Sequence, residues 1–278
     1  MELGKLFLIL VFLGIWIYTT SIEPAWLEVV HIPLVLPRLD DAFDGFRLVQ
    51  ISDIHMGGWM NKKRLARVVD AILAERPDAV AITGDFSCER APIKKRPRFM
   101  IELSTELRRL SAETLTFAVL GNHDHWEGGH LVRRVLKNGG VIELSNRIYS
   151  FKRENVQFHI CGVDDIWVGR ANLGMVIEKI PEEGAAILLA HEPDFADISA
   201  ATERFDLQIS GHSHGGQIKF SNKRLPLETH LAKKYPAGLY QVGSMKQYTN
   251  RGVGMGGFKV RFNCRPEITI FELRAEEA

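Results

Sequence analysis

The chain has 278 residues, 46% hydrophobic and 25% charged, with a formal net charge of +1. That apolar content can bury a large core, which excludes an intrinsically disordered chain, and the near-zero charge excludes a global basic footprint for nucleic acid. The three cysteines, Cys88, Cys161 and Cys264, include no C-x-x-C spacing, so neither a disulfide framework nor a cysteine–zinc site is expected.

Residues Leu6 to Tyr18 are continuously apolar or aromatic. Extended from Leu3 to Ile22, the run reaches the ~20 residues that span a bilayer. Residues 1–22 therefore read as an N-terminal membrane anchor or signal segment. The anchor is favoured, because no A-x-A-like cleavage site follows. Lys5 before the run, with Glu23 and Glu28 after it, leans toward a domain outside the cytoplasm, but one lysine leaves the side open. No second such segment exists, which excludes a polytopic membrane protein.

Residues 23–43 read as a connecting stretch, extended over 26–36. Phe46 to Ile51 is an apolar strand ending at Ser52-Asp53. Asn61 can cap a helix in which Leu65, Val68, Val69, Ile72 and Leu73 recur at helical spacing, and Pro77 stops it. Asp78 to Thr83 is a buried strand running into Gly84-Asp85. Met100, Leu103, Leu107 and Leu110 mark a helix. Leu115 to Leu120 is a strand running into Gly121-Asn122-His123-Asp124. Leu131 to Leu136 lie on a helix closed by Gly139-Gly140. Short strands fill 141–163, and a helix is expected near 171–179. Ala185 to Ala190 leads into His191, and Phe205 to Ile209 leads into Gly211-His212-Ser213-His214. The tail ends in a strand over Ile268 to Leu273.

Five apolar strands thus end in polar clusters: Asp53/His55, Asp85, Asn122/His123, His191 and His212/His214. Ligand sites of open α/β sheets lie beyond the carboxyl ends of strands. In an extended segment, Asp-x-His and His-x-His place both side chains on one side, where they can address one ion. Oxygen and nitrogen donors without thiolates suit Mn, Fe or Zn. These donors exceed the needs of one tetrahedral ion. Two divalent ions sharing a carboxylate account for the number, and a pair ~3.5–4 Å apart is suited to in-line displacement at phosphorus.

These motifs, in this order, resemble the calcineurin-like metallophosphoesterase superfamily. Ile51 to His55, Ala190-His191-Glu192-Pro193, Gly211 to Gln217 and Arg265-Pro266-Glu267 look like its membrane-associated YkuE/YaeI-like bacterial phosphodiesterases. The resemblance runs over 44–278, read as one catalytic domain. It implies an α/β fold of four layers, an α/β/β/α sandwich, preceded here by the N-terminal apolar helix. It implies that Asp53, His55, Asp85 and His214 hold one ion, and that Asp85, Asn122, His191 and His212 hold the other, with Asp85 bridging. Manganese is the first candidate metal, with iron or zinc as alternatives. His123 would protonate the leaving oxygen or stabilise the transition state, and Asp124 would orient His123 or cap the turn. A hydroxide activated by the ions would be the nucleophile.

The implied activity is hydrolysis of a phosphodiester or pyrophosphate by a membrane-associated enzyme. A lipid-linked substrate is plausible, with UDP-2,3-diacylglucosamine as the named candidate. The alternatives are a phosphoprotein phosphatase of the same superfamily and a non-catalytic, membrane-bound metal-binding interaction protein. No nucleic-acid partner is expected.

Charge is uneven along the chain. Arg90, Lys94, Lys95, Arg96 and Arg98 cluster after the Asp85 strand. Residues 219–265 hold ten Lys/Arg against one acid, Glu228. That stretch is expected to be either a solvated face or a surface for anionic headgroups or substrate phosphates. His125 is expected either to reach substrate or to be solvated. His31, His159 and His230 are expected at the surface or in the core, Asp164 and Asp165 as solvated turn carboxylates, and Trp59 in packing.

Overall fold

The computed structural model of the chain describes residues 2–88, 91–220, 223–224 and 229–276. Helix α1 (Glu2–Ile17) continues through a π-type turn (Tyr18–Ile22) and a 3₁₀ turn (Glu23–Ala25). Its apolar side chains from Leu6 to Phe12 are exposed. Gly4–Ala25 is long and apolar enough to cross a membrane, by length and composition. There follow β1 (Glu28–Val35), β2 (Phe46–Ile51), α2 (Lys62–Ala74), β3 (Ala79–Thr83), α3 (Arg96–Ser111), β4 (Leu115–Val119), α4 (Asn122–Trp126), α5 (Gly129–Asn138) and β5 (Ile142–Glu143). Next come β6 (Arg147–Arg153), β7 (Val156–Gly162), α6 (Leu173–Ile177), β8 (Ala186–Leu189), α7 (Ala196–Ala200) and β9 (Leu207–Ser210). A ribbon of β10 (Lys219–Phe220) and β11 (Lys223–Arg224) precedes β12 (Gly238–Val242), β13 (Met245–Thr249) and β14 (Glu267–Arg274).

Two six-stranded sheets form, ordered β1-β14-β2-β3-β4-β5 and β12-β13-β9-β8-β7-β6. In the first, β2 to β5 run parallel, with Val49 beside Val80 and Val80 beside Thr116, and β14 returns antiparallel to β2. In the second, β7, β8, β9 and β13 are parallel. The carboxyl ends of β2, β3 and β4 in one sheet, and of β8 and β9 in the other, are therefore available to one site.

The central strands are apolar on both faces because each sheet is covered twice. Leu48, Phe117, Phe158, Ile187, Leu207 and Phe271 fill the layer between the sheets. Phe158 is fully buried there, with its ring 4.8 to 4.9 Å from those of Phe43, Phe46 and Phe151. On the outer face of the first sheet lie α2, α3 and α5. The N-cap Asn61 accepts from Arg64 N at 3.1 Å, and α2 buries Leu65, Val68, Val69 and Ile72. Pro97 starts α3, which buries Met100, Leu103, Leu107 and Leu110. Val176 of α6, Phe195 and Ala196 cover the outer face of the second sheet. The result is the four-layer α/β/β/α arrangement.

Several local expectations change. Asn122 to Trp126, into which the Leu115 strand was expected to run, forms a short helix. Asp164 and Asp165 are buried, not solvated. Asp164 pairs with His125 and Arg133, each at 2.7 Å, and Asp165 accepts from Val168 N at 2.7 Å. Buried His159 is hydrogen-bonded by Ser150 and the Glu183 carbonyl. The basic 219–265 stretch is not a uniform free surface. Arg251 pairs with Glu28 and Glu267, Arg265 with Glu28 and Lys234 with Asp197, while Arg261 is buried among backbone carbonyls. Arg96 pairs with Glu127. Arg90 and Glu228 lie outside the described residues.

Candidate metal centre

All seven residues expected as metal ligands come together at the strand ends, and all are buried. The reason is not the extended geometry first expected. Asp53 and His55 have φ of 53° and 48°, and His212 and His214 have 68° and 52°. Asp85 also has positive φ, at 57°. Asp and His tolerate the left-handed region better than most residues, yet each such position still costs about 1–3 kcal/mol. Tight left-handed turns, not a pleat, fold each i, i+2 pair onto the centre.

Three overlapping groups of donors result: Asp53, His55 and His214; Asp85, His191 and His212; and His55, Asp85 and His123. The Asp85 carboxylate lies 3.3 Å from His191 Nε2 and 3.6 Å from His55 Nε2, so it faces both. Asp53 is 3.4 Å from His214 Nε2.

Hydrogen bonds from the far side of three rings orient them. His55 Nδ1 pairs with the Ser87 carbonyl at 3.2 Å, and His191 Nδ1 with the Thr83 carbonyl at 2.6 Å. His212 Nε2 pairs with the His230 carbonyl at 2.8 Å. A carbonyl only accepts, so each ring donates there and turns its other nitrogen to the centre, as a lone pair where the ring is neutral. These inward nitrogens crowd one another. His55 Nε2 is 3.1 Å from His214 Nε2, and His191 Nε2 is 3.1 Å from His212 Nδ1.

Electrostatics follow from this crowding. Burial pushes His55 down to about 4 and His212 down to about 3, so both stay neutral near pH 7, as ligands must. Burial lowers His214 as well. Burial raises Asp53 to about 6. Burial also raises Asp85, but His191, His123 and His55 around it hold it well below the usual carboxylate range. Burial opposes a charge on His191, yet Asp85 and Asp53 drive it well above its ordinary value.

The donor set fits divalent ions. Asn122 is buried, and neither Oδ1 nor Nδ2 of its carboxamide has a hydrogen-bond partner among the described residues. An orphaned carboxamide oxygen beside carboxylates and neutral imidazoles is a ready ligand for a hard or borderline cation. Close backbone approach frames the centre. A Cβ on Gly121 would meet Asp85 Oδ1, and would lie 2.7 Å from His191 Nε2.

His123 adjoins His55 and Asp85 and also faces open space. Its backbone N–H donates to Asp85 Oδ1 at 3.0 Å, and its ring packs edge-on against His55 and Trp126. It lines a cavity of about 380 Å³ together with Asp85, Asn122, His212 and His214. Asp124, expected to orient His123 or to cap a turn, spends its carboxylate on the backbone. It accepts from the N–H groups of Asp85, Phe86, Ser87 and Gly121 at 2.9 to 3.1 Å, and from Ser87 Oγ at 3.2 Å. It thereby ties the loop after β3 to the loop after β4.

Sequence reasoning missed other cavity residues. Trp126, Trp167, Gln217, Thr229 and Phe258 also line it. Trp126 adjoins the Asn-His-Asp-His motif and was within reach of that signal, but Phe258 arrives from 44 residues after His214 without one.

The sequence of residues 46–216 matches the family model for calcineurin-like phosphoesterases. The chain is 31% identical over 260 residues to the uncharacterised metallophosphoesterase YkuE of Bacillus subtilis, covering 93% of this chain and 89% of that one. It is 30% identical over 260 residues to the phosphodiesterase YaeI of Escherichia coli, covering 92% of each. It is also 30% identical over 264 residues to a zebrafish (Danio rerio) transmembrane protein with a metallophosphoesterase domain, covering 89% of this chain and 57% of that one. With the family model spanning most of both sheets and these relatives matched along nearly the whole chain, the protein belongs to the calcineurin-like metallophosphoesterases, hydrolases acting on ester bonds.

Proposed function

We propose that the chain is a membrane-associated, two-metal hydrolase of a phosphodiester or pyrophosphate bond. Asp85 is the observation that carries this reading. Its carboxylate faces His191 and His55 at 3.3 and 3.6 Å, as a bridging ligand requires. Asp53, His55, Asp85 and His214 would hold one divalent ion. Asp85, Asn122, His191 and His212 would hold the second. Manganese is the first candidate, then iron or zinc. When bound there, such ions would make a nucleophilic hydroxide available at neutral pH and would stabilise the charge of an in-line displacement.

The residues of the chain do the rest. The Ser87, Thr83 and His230 carbonyls aim three imidazoles inward; His55 and His212 are already neutral there, and His191 must give up its second proton to ligate. Asp124 fixes the loops that carry Asp85 and Asn122. His123 faces the cavity from beside His55 and Asp85, and donates a proton to the leaving oxygen. General acid catalysis of this kind contributes roughly 10²–10⁴ in rate.

Residues 1–22 act as an uncleaved membrane anchor, and residues 44–278 as the catalytic domain. The apolar Gly4–Ala25 helix and the likeness to a relative named as transmembrane support membrane association. A lipid-linked phosphoester, with UDP-2,3-diacylglucosamine as the first candidate, is then the substrate class. The test is hydrolysis by the purified full chain with added Mn²⁺, comparing a nitrophenyl monoester, a nitrophenyl diester, UDP-2,3-diacylglucosamine and a phosphopeptide. The diester or pyrophosphate should be cleaved fastest. Cleavage of the phosphopeptide alone would identify a phosphoprotein phosphatase. No cleavage by the two-ion protein would identify a binding protein.

A further inference from the structure

The end of the apolar helix is built into the rim of the metal centre. Arg261 N donates to the Thr19 carbonyl at 2.9 Å, and Cys264 N donates to the buried Glu23 carboxylate at 2.5 Å. The Tyr18 and Phe262 rings meet edge-on at 6.4 Å. Cys264 Sγ in turn donates to the His214 carbonyl at 3.4 Å. Buried Arg261 gathers the carbonyls of Arg251, Gly252 and Gly254. Gly254 N bonds the Asp53 carbonyl at 2.8 Å. The 251–264 loop therefore touches the helix end on one side and two candidate metal ligands on the other.

This loop and the neighbouring β10 carry exposed aromatic surface. Phe258 is 66% exposed and Phe220 is 53% exposed. Gln217 stitches the two strands of this rim together. Its carboxamide bonds the Phe258 carbonyl and Gly256 N, and its backbone carbonyl accepts from Phe262 N. Phe258, Gly256 and Gly257 also line the metal-centre cavity. Exposed Phe side chains on a polar rim suit burial at the boundary between headgroups and acyl chains, as on interfacial amphipathic elements.

Depth follows from the helix. Thr19 lies two residues beyond Ile17, the last residue of the apolar helix α1, which is about 3 Å along a helix axis. A loop bonded to Thr19 must then lie at headgroup level when that segment spans the bilayer. We propose that Phe220, Phe258 and the 256–264 loop rest in the interfacial region of the bilayer that α1 crosses. The metal-centre cavity then opens at the membrane surface and takes its phosphoester from an amphiphile in that bilayer. The contact is aromatic more than basic, since Arg251, Arg261 and Arg265 are occupied within the protein. This inference rests on the membrane reading above.

Depth-resolved quenching tests it. The full chain, with Cys88→Ser to remove the one cysteine that is not buried, is reconstituted in phosphatidylcholine–phosphatidylglycerol vesicles. A fluorophore is attached at Phe258→Cys, Phe220→Cys, Phe12→Cys or Lys152→Cys. Lys152, beside the turn between β6 and β7, is the control at the opposite ends of the strands. Headgroup nitroxide lipids should quench positions 258 and 220, mid-chain nitroxides should quench position 12, and position 152 should stay bright. Quenching at 12 without quenching at 258 and 220 overturns this inference and leaves the anchor standing. A bright position 12 overturns both. In a second arm, Phe220→Asp should slow hydrolysis of a vesicle-borne phosphodiester about tenfold, from the lost burial of one aromatic side chain, while a soluble diester is cleaved as before. Equal slowing of both substrates overturns the claim that the bilayer delivers the substrate.

Discussion

Replacing Asp124 by alanine separates a structural carboxylate from a catalytic one. The side chain is fully buried and accepts five hydrogen bonds, four from backbone N–H groups and one from Ser87 Oγ. Burial and the neighbouring Asp85 push its carboxyl up, while the Gly121 and Ser87 donors pull the other way. Hydrogen bonds to a charged acceptor are worth about 1.5–3 kcal/mol each, and an orphaned buried donor costs about 1–3 kcal/mol. Donors on one carboxylate are not additive, so the expected net loss is about 3–5 kcal/mol, in the range for breaking a buried charged network. That is a large part of the ~5–15 kcal/mol that holds an ordinary domain together. Urea unfolding of the chelated protein measures it. The ion content should fall as well, because the loops bearing Asp85 and Asn122 lose their common tie. A stability loss under about 1 kcal/mol, together with a kcat drop and a changed pH profile at full ion content, would refute this reasoning. Asp124 would then act on His123 and the reaction, not on the backbone.

Three further outcomes are expected. His123→Asn should keep both ions and lower kcat by roughly 10²–10⁴; unchanged kcat would remove the imidazole from the mechanism. Gly121→Ala should lower the affinity for at least one ion, because its Cβ would meet Asp85 and lie 2.7 Å from His191 Nε2; calorimetric titration with Mn²⁺ giving wild-type affinity would contradict the cradle. Chelation should destabilise the fold. Ions present at a thousandfold their Kd contribute about 4 kcal/mol each, which is on the order of 10 °C in Tm for a domain of this size, and scanning calorimetry with and without chelator reads the difference.

The five clusters were legible because each follows an apolar run short enough to be a buried strand. Val49, Ile82 and Ile187 announce the strands, and the polar residues after them announce the ends. The parallel order of β2-β3-β4 and β9-β8 then does what such topology does, gathering the ends of sequence-distant strands. Local geometry was less legible. Asp53 and His55 converge through left-handed turns, which a two-residue spacing does not encode. The Asp124 side chain turns away from its sequence neighbour toward Ser87 because four N–H groups find no other acceptor among the described residues. Asp164 looked like a turn carboxylate, and its burial depends on His125 and Arg133, 39 and 31 residues away. The clasp between Glu23 and Cys264 joins residues 241 apart. No periodicity reports such pairings, because they exist only once both sheets have closed.

The central claim is that one carboxylate, Asp85, is shared by two ions. Metal analysis of the purified protein after Mn²⁺ loading and gel filtration, run on wild type and Asp85→Ala side by side, tests it most directly. The wild type should hold two ions per chain and the variant one or none, with hydrolysis abolished. Two ions retained by Asp85→Ala would contradict it.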